Sequence, residues 1–363
     1  MAGKPSVDGL RRIARRRHVR RRRRHYGRSS APRSEGRDRI QWISLIALSL
    51  PGLAALGALL FTWMQVGQAS KELHISEHGQ ITSRFNTAVD HLGSPSLDIR
   101  LGGIYSLQRI MQDSARDHPT VVSVLAAFAQ RHAGSSAVSL KEPVDLDALP
   151  TSGPTPEADV RAAIATLGHR RPDRDRGTRV DLSKSDLRGL RFHERAPIKL
   201  PEADLSDADL RVAYLDGADL HKAWLFNASL DHAVLDRANL RGAILVGASL
   251  PNASLVGADL RRADMTCAEW TVNQETGQAE DRTNCVDMQG TDLTRADLRN
   301  AKMSDVSFDL GFLSNADLRG ADLSRSDLSY TDLTNADFRG AKLTDVKLEG
   351  AERAGARGLP PEG

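Results

Sequence analysis

The segment HISEH, His74 to His78, carries the residue types and spacing of a zinc hydrolytic site, H-x-x-E-H. On a helix the two histidines share a face and could hold the metal, with Glu77 as general base. Such a site also needs an acidic ligand downstream. The candidates, Glu142 and Glu157, lie in or beside a Ser- and Pro-rich stretch with no helix to present them. Five residues match a pattern easily by chance, and the simpler reading is two solvated histidines. Cys267 and Cys285 have no metal-ligand spacing; they are either a disulfide pair or two separate thiols. No Gly-rich loop that would cradle a phosphate is visible. The aspartates that could be mistaken for paired catalytic carboxylates, Asp209, Asp219 and Asp259 among them, recur because a longer pattern recurs. The expectation is therefore a protein that is not an enzyme, with no catalytic residue, no metal and no cofactor.

That longer pattern is plain in ADLSRSDLSYTDLTNADFRG, Ala321 to Gly340, where Leu323, Leu328, Leu333 and Phe338 each follow an Asp. A helix cannot use it: five residues advance a helix by about 500°, so successive leucines would be smeared around the cylinder. A continuous strand cannot use it either, because an odd spacing changes face at every repeat. All the leucines point inward only if the chain turns a corner every five residues. Four corners close a square, and the next coil stacks about 4.8 Å higher. The pattern runs through fifteen pentapeptides from Ile198 to Val272, thirteen from Val286 to Gly350 and three from Val180 to Glu194, thirty-one in all. In the central block Ala stands two positions before nearly every central residue, so small and large side chains share a narrow core. Such a core leaves little room for rings, in keeping with an aromatic content of 4%.

The run ADLSDADLRVAYLDGADL, with A(D/N)LxG as its unit, resembles the pentapeptide-repeat family. The resemblance implies a mainly β fold, a right-handed quadrilateral β-helix. The square register follows from the spacing, whereas the handedness comes from the resemblance. The repeat domain is expected over 179–358, with a loop insertion at 273–285, because removing Asn273 to Cys285 restores the register.

Ahead of the repeats the chain changes character. Residues 1–39 hold fifteen Lys or Arg and three acidic residues, with ten arginines between Arg11 and Arg24. From Ile40 to Ser70 there is no charged residue, and Trp42 to Met64 gives 23 mostly apolar residues with Trp42 and Trp63 at the ends. That length and those aromatic ends suit a membrane-spanning helix. The sequence thus reads as a basic disordered arm at 1–39 and a transmembrane helix at 40–66. The arginine excess places the N-terminus in the cytoplasm and the repeats on the extracytoplasmic side, where a Cys267–Cys285 bridge would persist. The arm would then meet anionic membrane lipids; nucleic-acid binding is the lesser reading of the same arginines.

Between membrane and repeats, Ile81, Phe85, Ala88 and Leu92 fall at helical spacing. Gly93 reads as the residue that closes this helix in a left-handed conformation, and Ser94-Pro95 as the N-cap and first residue of the next. That second helix runs through Leu97, Leu101, Ile104, Leu107 and Met111, and Pro119 opens a third. Residues 71–133 are thus a membrane-proximal helical segment, 134–155 a linker, and 156–171 a short helix, ended by Gly168, that caps the first coil. Glu77 to Phe128 also resembles the membrane-proximal part of membrane-anchored bacterial pentapeptide-repeat proteins, which brings no biochemical role with it.

A solenoid built by stacking neighbours has no cleft, so its function should lie on an outer face or on the insertion. Tyr214, Trp224 and Phe226 are the candidate interaction surface. Trp224 and Phe226 flank the inward Leu225, so at least one should be exposed, and exposed aromatics beside charges are typical of binding hot spots. The expected function is a membrane-tethered, non-enzymatic interaction scaffold with an unspecified protein partner; a second copy could also pair through a solenoid end. The alternative implied by the resemblance is a DNA-mimic regulator of a topoisomerase or other DNA-binding protein, which requires a strongly acidic rod. From Arg179 to Arg357, omitting the insertion, 27 acidic residues stand against 22 basic ones, a weak imbalance for that role.

Overall fold

A computed structural model describes residues 52, 55–65, 79–134, 155–191, 197–267, 271–272, 279–280 and 285–361. The chain divides into two units, Met1–His74 and Ile75–Gly363. In the first, residues 55–65 are helical. The expected membrane anchor is overturned here: among the described residues no helix is long and apolar enough to cross a membrane. The expected localisation, a single-pass membrane protein with a cytoplasmic N-terminus and extracytoplasmic repeats, is corrected with it. The basic arm, the HISEH segment, most of the expected linker and most of the insertion lie outside the described residues.

The second unit begins with helices. In α1 (residues 79–92) Ala88 and Leu92 are buried, and Ile81 and Phe85 pack against them. Gly93 is not left-handed; its N–H makes a short turn bond to Asp90 O at 3.1 Å. In α2 (Leu97–Asp113) the N-cap is Ser96 rather than Ser94, and Ser94 Oγ accepts the Ser96 N–H at 3.2 Å. Next come α3 (His118–His132), with a proline in its first turn, and α4 (Ala158–Gly168). Ile104 and Leu107 of α2, Leu125 of α3, and Ile164 and Leu167 of α4 are fully buried. Asp159, also fully buried, is held by Arg100 Nε at 2.5 Å; burying a carboxylate is tolerable only with such a partner.

The helices then meet the coil. Gly168 ends α4, and it is also a point of close approach: a Cβ there would stand 2.8 Å from Ile198 Cβ. Its carbonyl accepts the Lys199 N–H at 2.8 Å, and Gly134 O accepts the Asp186 N–H at 3.3 Å. These two bonds occupy donors of the first coil that have no coil beneath them. A buried polar cluster tightens the junction. His118 Nε2 lies 2.9 Å from Asp175 Oδ1, and Arg170 donates to Asp175 Oδ2 at 2.9 Å and to the carbonyls of Leu167 and Lys199 at 2.9 and 2.8 Å.

In the coil each central Leu N–H donates upward and the preceding N–H donates downward. Leu205 donates to Trp224 O at 2.7 Å, and Trp224 donates to Ala203 O at 2.8 Å. The bridges are parallel and each involves a single residue, so the mainly β expectation is met by isolated rungs rather than extended strands. Four walls result. The first carries Asp204, Trp224 and Ile244; the second Asp209, Ser229 and Ser249; the third Tyr214, Val234 and Ser254; the fourth Asp219, Asn239 and Asp259. The central Leu and the Ala two positions earlier point inward, with Ala203, Leu225, Ala228 and Leu230 fully buried. At each corner the second residue after the central one is left-handed, as in Asp207 (φ 58°), Val212 (φ 53°) and Gly217 (φ 65°). That conformation lets the backbone turn sharply; it suits Gly and Asn and is unfavourable for a β-branched Val.

The insertion differs from its expected length. Ser249 pairs with Asp287 rather than with residue 269, which leaves 18 residues outside the coil, not thirteen. The Met288 unit takes the wall place expected of Trp270, which lies outside the described residues. The two lengths differ by one repeat unit, so a periodic pattern by itself fits either. Cys267 and Cys285 sit at equivalent places in the register, with Cα atoms 3.8 Å apart, joined by an S–S bond of 1.97 Å. Inside the insertion, β1 (Thr271–Val272) pairs antiparallel with β2 (Ala279–Glu280).

The fourth wall is an ion-pair ladder. Arg299 grips Asp297 through Nε and Nη2 at 2.8 and 2.7 Å and reaches Asp317 of the next coil at 3.5 Å. Arg319 repeats this on Asp317 at 2.8 Å and reaches Asp337 at 3.8 Å. Single exposed pairs contribute little, but a bidentate series held in register is a network. The bond from Arg339 holds Asp337 down to about 2, and on the first wall Ser324 and Lys342 hold Asp322 down to about 2.

Three outcomes follow for this architecture. Deleting Ala213 to His232, one full coil, should preserve a cooperative melt and a β-rich spectrum, whereas one Ala inserted after Asp216 should damage both; equal damage from the two would sink the square-coil register. Gly168→Ala should lower the melting temperature because Ile198 must move. Gly102→Ala, a helical site with nothing within 4 Å, should instead stabilise by about 0.5–1 kcal/mol. Carboxylates whose folded pKa is depressed stabilise above their ordinary value near 4 and lose that contribution as pH falls through about 2. The melting temperature should therefore be flat down to about pH 5 and decline between about pH 4 and 2. In Arg339→Met the Asp337 midpoint, read by NMR, should move up toward the ordinary value.

Candidate functional site on the outer walls

Among the described residues no group of His, Cys, Asp and Glu could hold a metal ion. His118, the buried histidine, is engaged in the helix–coil junction by Met111 O at 3.2 Å and Asp175 at 2.9 Å. Chemistry at the surface therefore belongs to the walls. Their charges are largely spent on one another. Besides the fourth-wall ladder, Lys302 pairs with Asp264 at 2.7 Å and Lys342 with Asp322 at 2.9 Å on the first wall, and Lys347 pairs with Asp327 at 3.0 Å on the second.

The three aromatics singled out from the sequence do not form one surface. Tyr214 is on the third wall and Trp224 on the first. Ten residues are two corners of the square, so these walls face opposite ways. Phe226 sits at the corner beside Trp224 and is half-buried. Nor are the two exposed rings bare. The Arg179 guanidinium lies 3.9 Å over Trp224 and that of Arg191 lies 4.1 Å over Tyr214, cation–π contacts worth about 0.5–1 kcal/mol each at exposed sites. Trp224 retains 40% of its surface and Tyr214 45%.

A second apolar group was missed in the sequence. Leu310, Phe312 and Tyr330 are exposed by 55%, 48% and 56%. Phe312 is a third-wall residue bridging Thr291's neighbour Asp292 below and Asp332 above. Leu310 and Tyr330 occupy the same corner of adjacent coils, both left-handed at φ 60° and 56°. The signal was available: the corner position, elsewhere filled mostly by Gly, Asn, Asp or other charged residues, carries a large apolar residue twice running in one column.

The sequence description "Pentapeptide repeats" matches this chain in eight copies, over residues 199–231, 228–266, 284–310 and 312–351. Among solved structures, a trypsin-treated form of QnrB1, a plasmid-mediated fluoroquinolone resistance protein, is 22% identical, covering 47% of this chain and 75% of that one, with a TM-score of 0.38. HetL, a pentapeptide repeat protein involved in heterocyst differentiation regulation from the cyanobacterium Nostoc sp. strain PCC 7120, is 31% identical over 49% of this chain and 82% of its own, with a TM-score of 0.16. A pentapeptide repeat protein of the Arabidopsis thaliana thylakoid lumen is 23% identical over 32% and 64%, with a TM-score of 0.16. No curated protein matches. With superpositions this loose, the assignment rests on the repeats themselves. The five-residue register, the stacked square coils and the match within residues 199–351 agree: this chain belongs to the pentapeptide-repeat family, and its coil is a right-handed β-helix solenoid.

Proposed function

We propose that this protein is a non-enzymatic interaction scaffold that binds protein partners on the outside of its coil. The observation that supports this is the division of the walls into two kinds of surface. Where charges are dense they are paired within the wall, as from Asp297 to Arg339. Large apolar side chains nevertheless stay about half-exposed at Tyr214, Trp224, Leu310, Phe312 and Tyr330. Aromatic anchors beside charged neighbours are what protein partners use. Pentapeptide-repeat proteins are in general structural or interaction proteins rather than enzymes, and one fold carries many roles. The DNA-mimic reading is the weaker one, because a mimic needs a row of uncompensated negative charge and the fourth-wall carboxylates of Asp259, Asp297, Asp317 and Asp337 are each gripped by an arginine. The Cys267–Cys285 bond fits the same reading as a clamp that keeps the insertion from loosening the coil at its base.

A second copy is a further candidate partner, at the C-terminal end. Leu343 and Leu348 of the last coil are only partly buried, whereas Leu323 and Leu328 one coil earlier are fully buried. An uncovered coil also leaves rung donors and acceptors for another edge.

Trp224→Ala with Phe226→Ala is expected to leave the melting curve nearly unchanged and to remove a protein partner from a cross-linked pull-down in the native cell. A collapse in stability would make both residues structural, and an unchanged partner list would move the binding site off the first wall. Light scattering of the same purified chain should give twice the monomer mass; a monomer at all concentrations removes the end-pairing idea.

A further inference from the structure

We infer that the corner formed by Leu310, Phe312 and Tyr330 is a docking site for a cationic protein segment, one that presents an apolar side chain flanked by Lys or Arg. This rests on the scaffold reading and names the site and partner chemistry within it.

The patch is built rather than incidental. Leu310 and Tyr330 stand one coil apart in one corner column, about 4.8 Å in height, and Phe312 lies two residues along from Leu310. The same column carries Gly290 below and Gly350 above, at φ 66° and 65°. A Cβ at Gly350 would fall 2.5 Å from Tyr330 Cδ1, so the ring lies against the Gly350 backbone and is supported by it. Leucine and tyrosine are unfavourable in the left-handed region, where Gly and Asn are tolerated best. Large apolar residues there neither fill the core nor ease the turn.

The rim supplies the charge. Asp292 accepts the Thr294 N–H at 2.9 Å, and Asp332 accepts the Ser314 hydroxyl and the Thr334 N–H. Asp309 Oδ2 is 3.4 Å from Gln289 Nε2, while its buried Oδ1 has no partner. Glu349 and Glu352 are exposed. Among the described residues none of these carboxylates has a cationic partner, and Lys347 nearby is already bonded to Asp327 at 3.0 Å. The contrast with Tyr214 and Trp224 is sharp, since each of those rings already holds an arginine of this chain. Here the rings and aliphatic side chain are exposed and the surrounding field is negative, which attracts cations and repels acidic or nucleic-acid ligands.

The test is fluorescence anisotropy with the full chain and three short synthetic peptides that share one Leu/Phe anchor pattern and differ in flanking residues: Lys/Arg, Ser or Glu. The Lys/Arg peptide should bind, weaken as salt is raised, and bind at least about tenfold more weakly to Leu310→Asn/Phe312→Thr/Tyr330→Asn. Asn serves the left-handed corner at Asn315 and Asn335, so this variant should keep its melting curve. Should it not, Phe312→Thr alone, outside the left-handed positions, carries the same comparison. Equal binding to wild type and variant, or equal binding of the Ser or Glu peptide, would overturn the assignment. So would a drop in mass by light scattering in the patch variant, which would make the corner an interface with a second copy. Failure of the peptides while pull-down partners persist overturns only the partner chemistry and leaves the scaffold standing.

Discussion

Each coil is tied to the next by a backbone bond that spans a fixed count of residues, as when Leu205 N–H meets Trp224 O at 2.7 Å. A rung of this kind tolerates no change of length within a coil, because one extra residue would shift every donor whose rung spans it off its acceptor. Surplus chain must therefore leave at a corner and return to the same corner. The 18-residue insertion does this, and its two ends are joined through Cys267 and Cys285. The ends of the stack obey the same rule. At the start, carbonyls of Gly134 and Gly168 receive first-coil donors; toward the other end Leu343 and Leu348 are only partly buried.

Stacking in register also dictates the chemistry of the walls. Equivalent side chains recur every coil at about 4.8 Å, so a column of like charges would repel along its whole length. The fourth wall resolves this by giving Asp259, Asp297, Asp317 and Asp337 each an arginine two residues later; Arg261, Arg299 and Arg319 also reach the carboxylate of the next coil. The first wall resolves it by alternating Asp264, Lys302, Asp322 and Lys342 in one column. The upper third wall does neither: Asp292, Phe312, Asp332 and Glu352 follow one another without a cation. The walls of one repeat family member are thus not interchangeable surfaces.

How much of this could be read from the chain depends on the range over which each feature is set. Leucine at every fifth position determined an inward-facing corner, because neither helix nor strand keeps that spacing on one side. Alanine two residues earlier determined a narrow core by volume alone. Gly168 was legible as a helix stop but not as the point where Ile198 needs room. The apolar run after the arm read as a span, since hydropathy sums residue types along the chain; among the described residues no helix is long and apolar enough to cross a membrane. Tyr214 and Trp224 were legible as outward residues, yet their opposite walls and the arginines lying over them were not. The local spacing by itself determined that the chain coils, because backbone sterics act over a few residues. Which side chains share a wall, and which corner stands beside which carboxylate, was decided only by the tertiary structure. Those neighbours are fixed by the residue count between successive coils, and a repeat that is its own near-copy cannot say whether one more unit lies inside the coil or outside it.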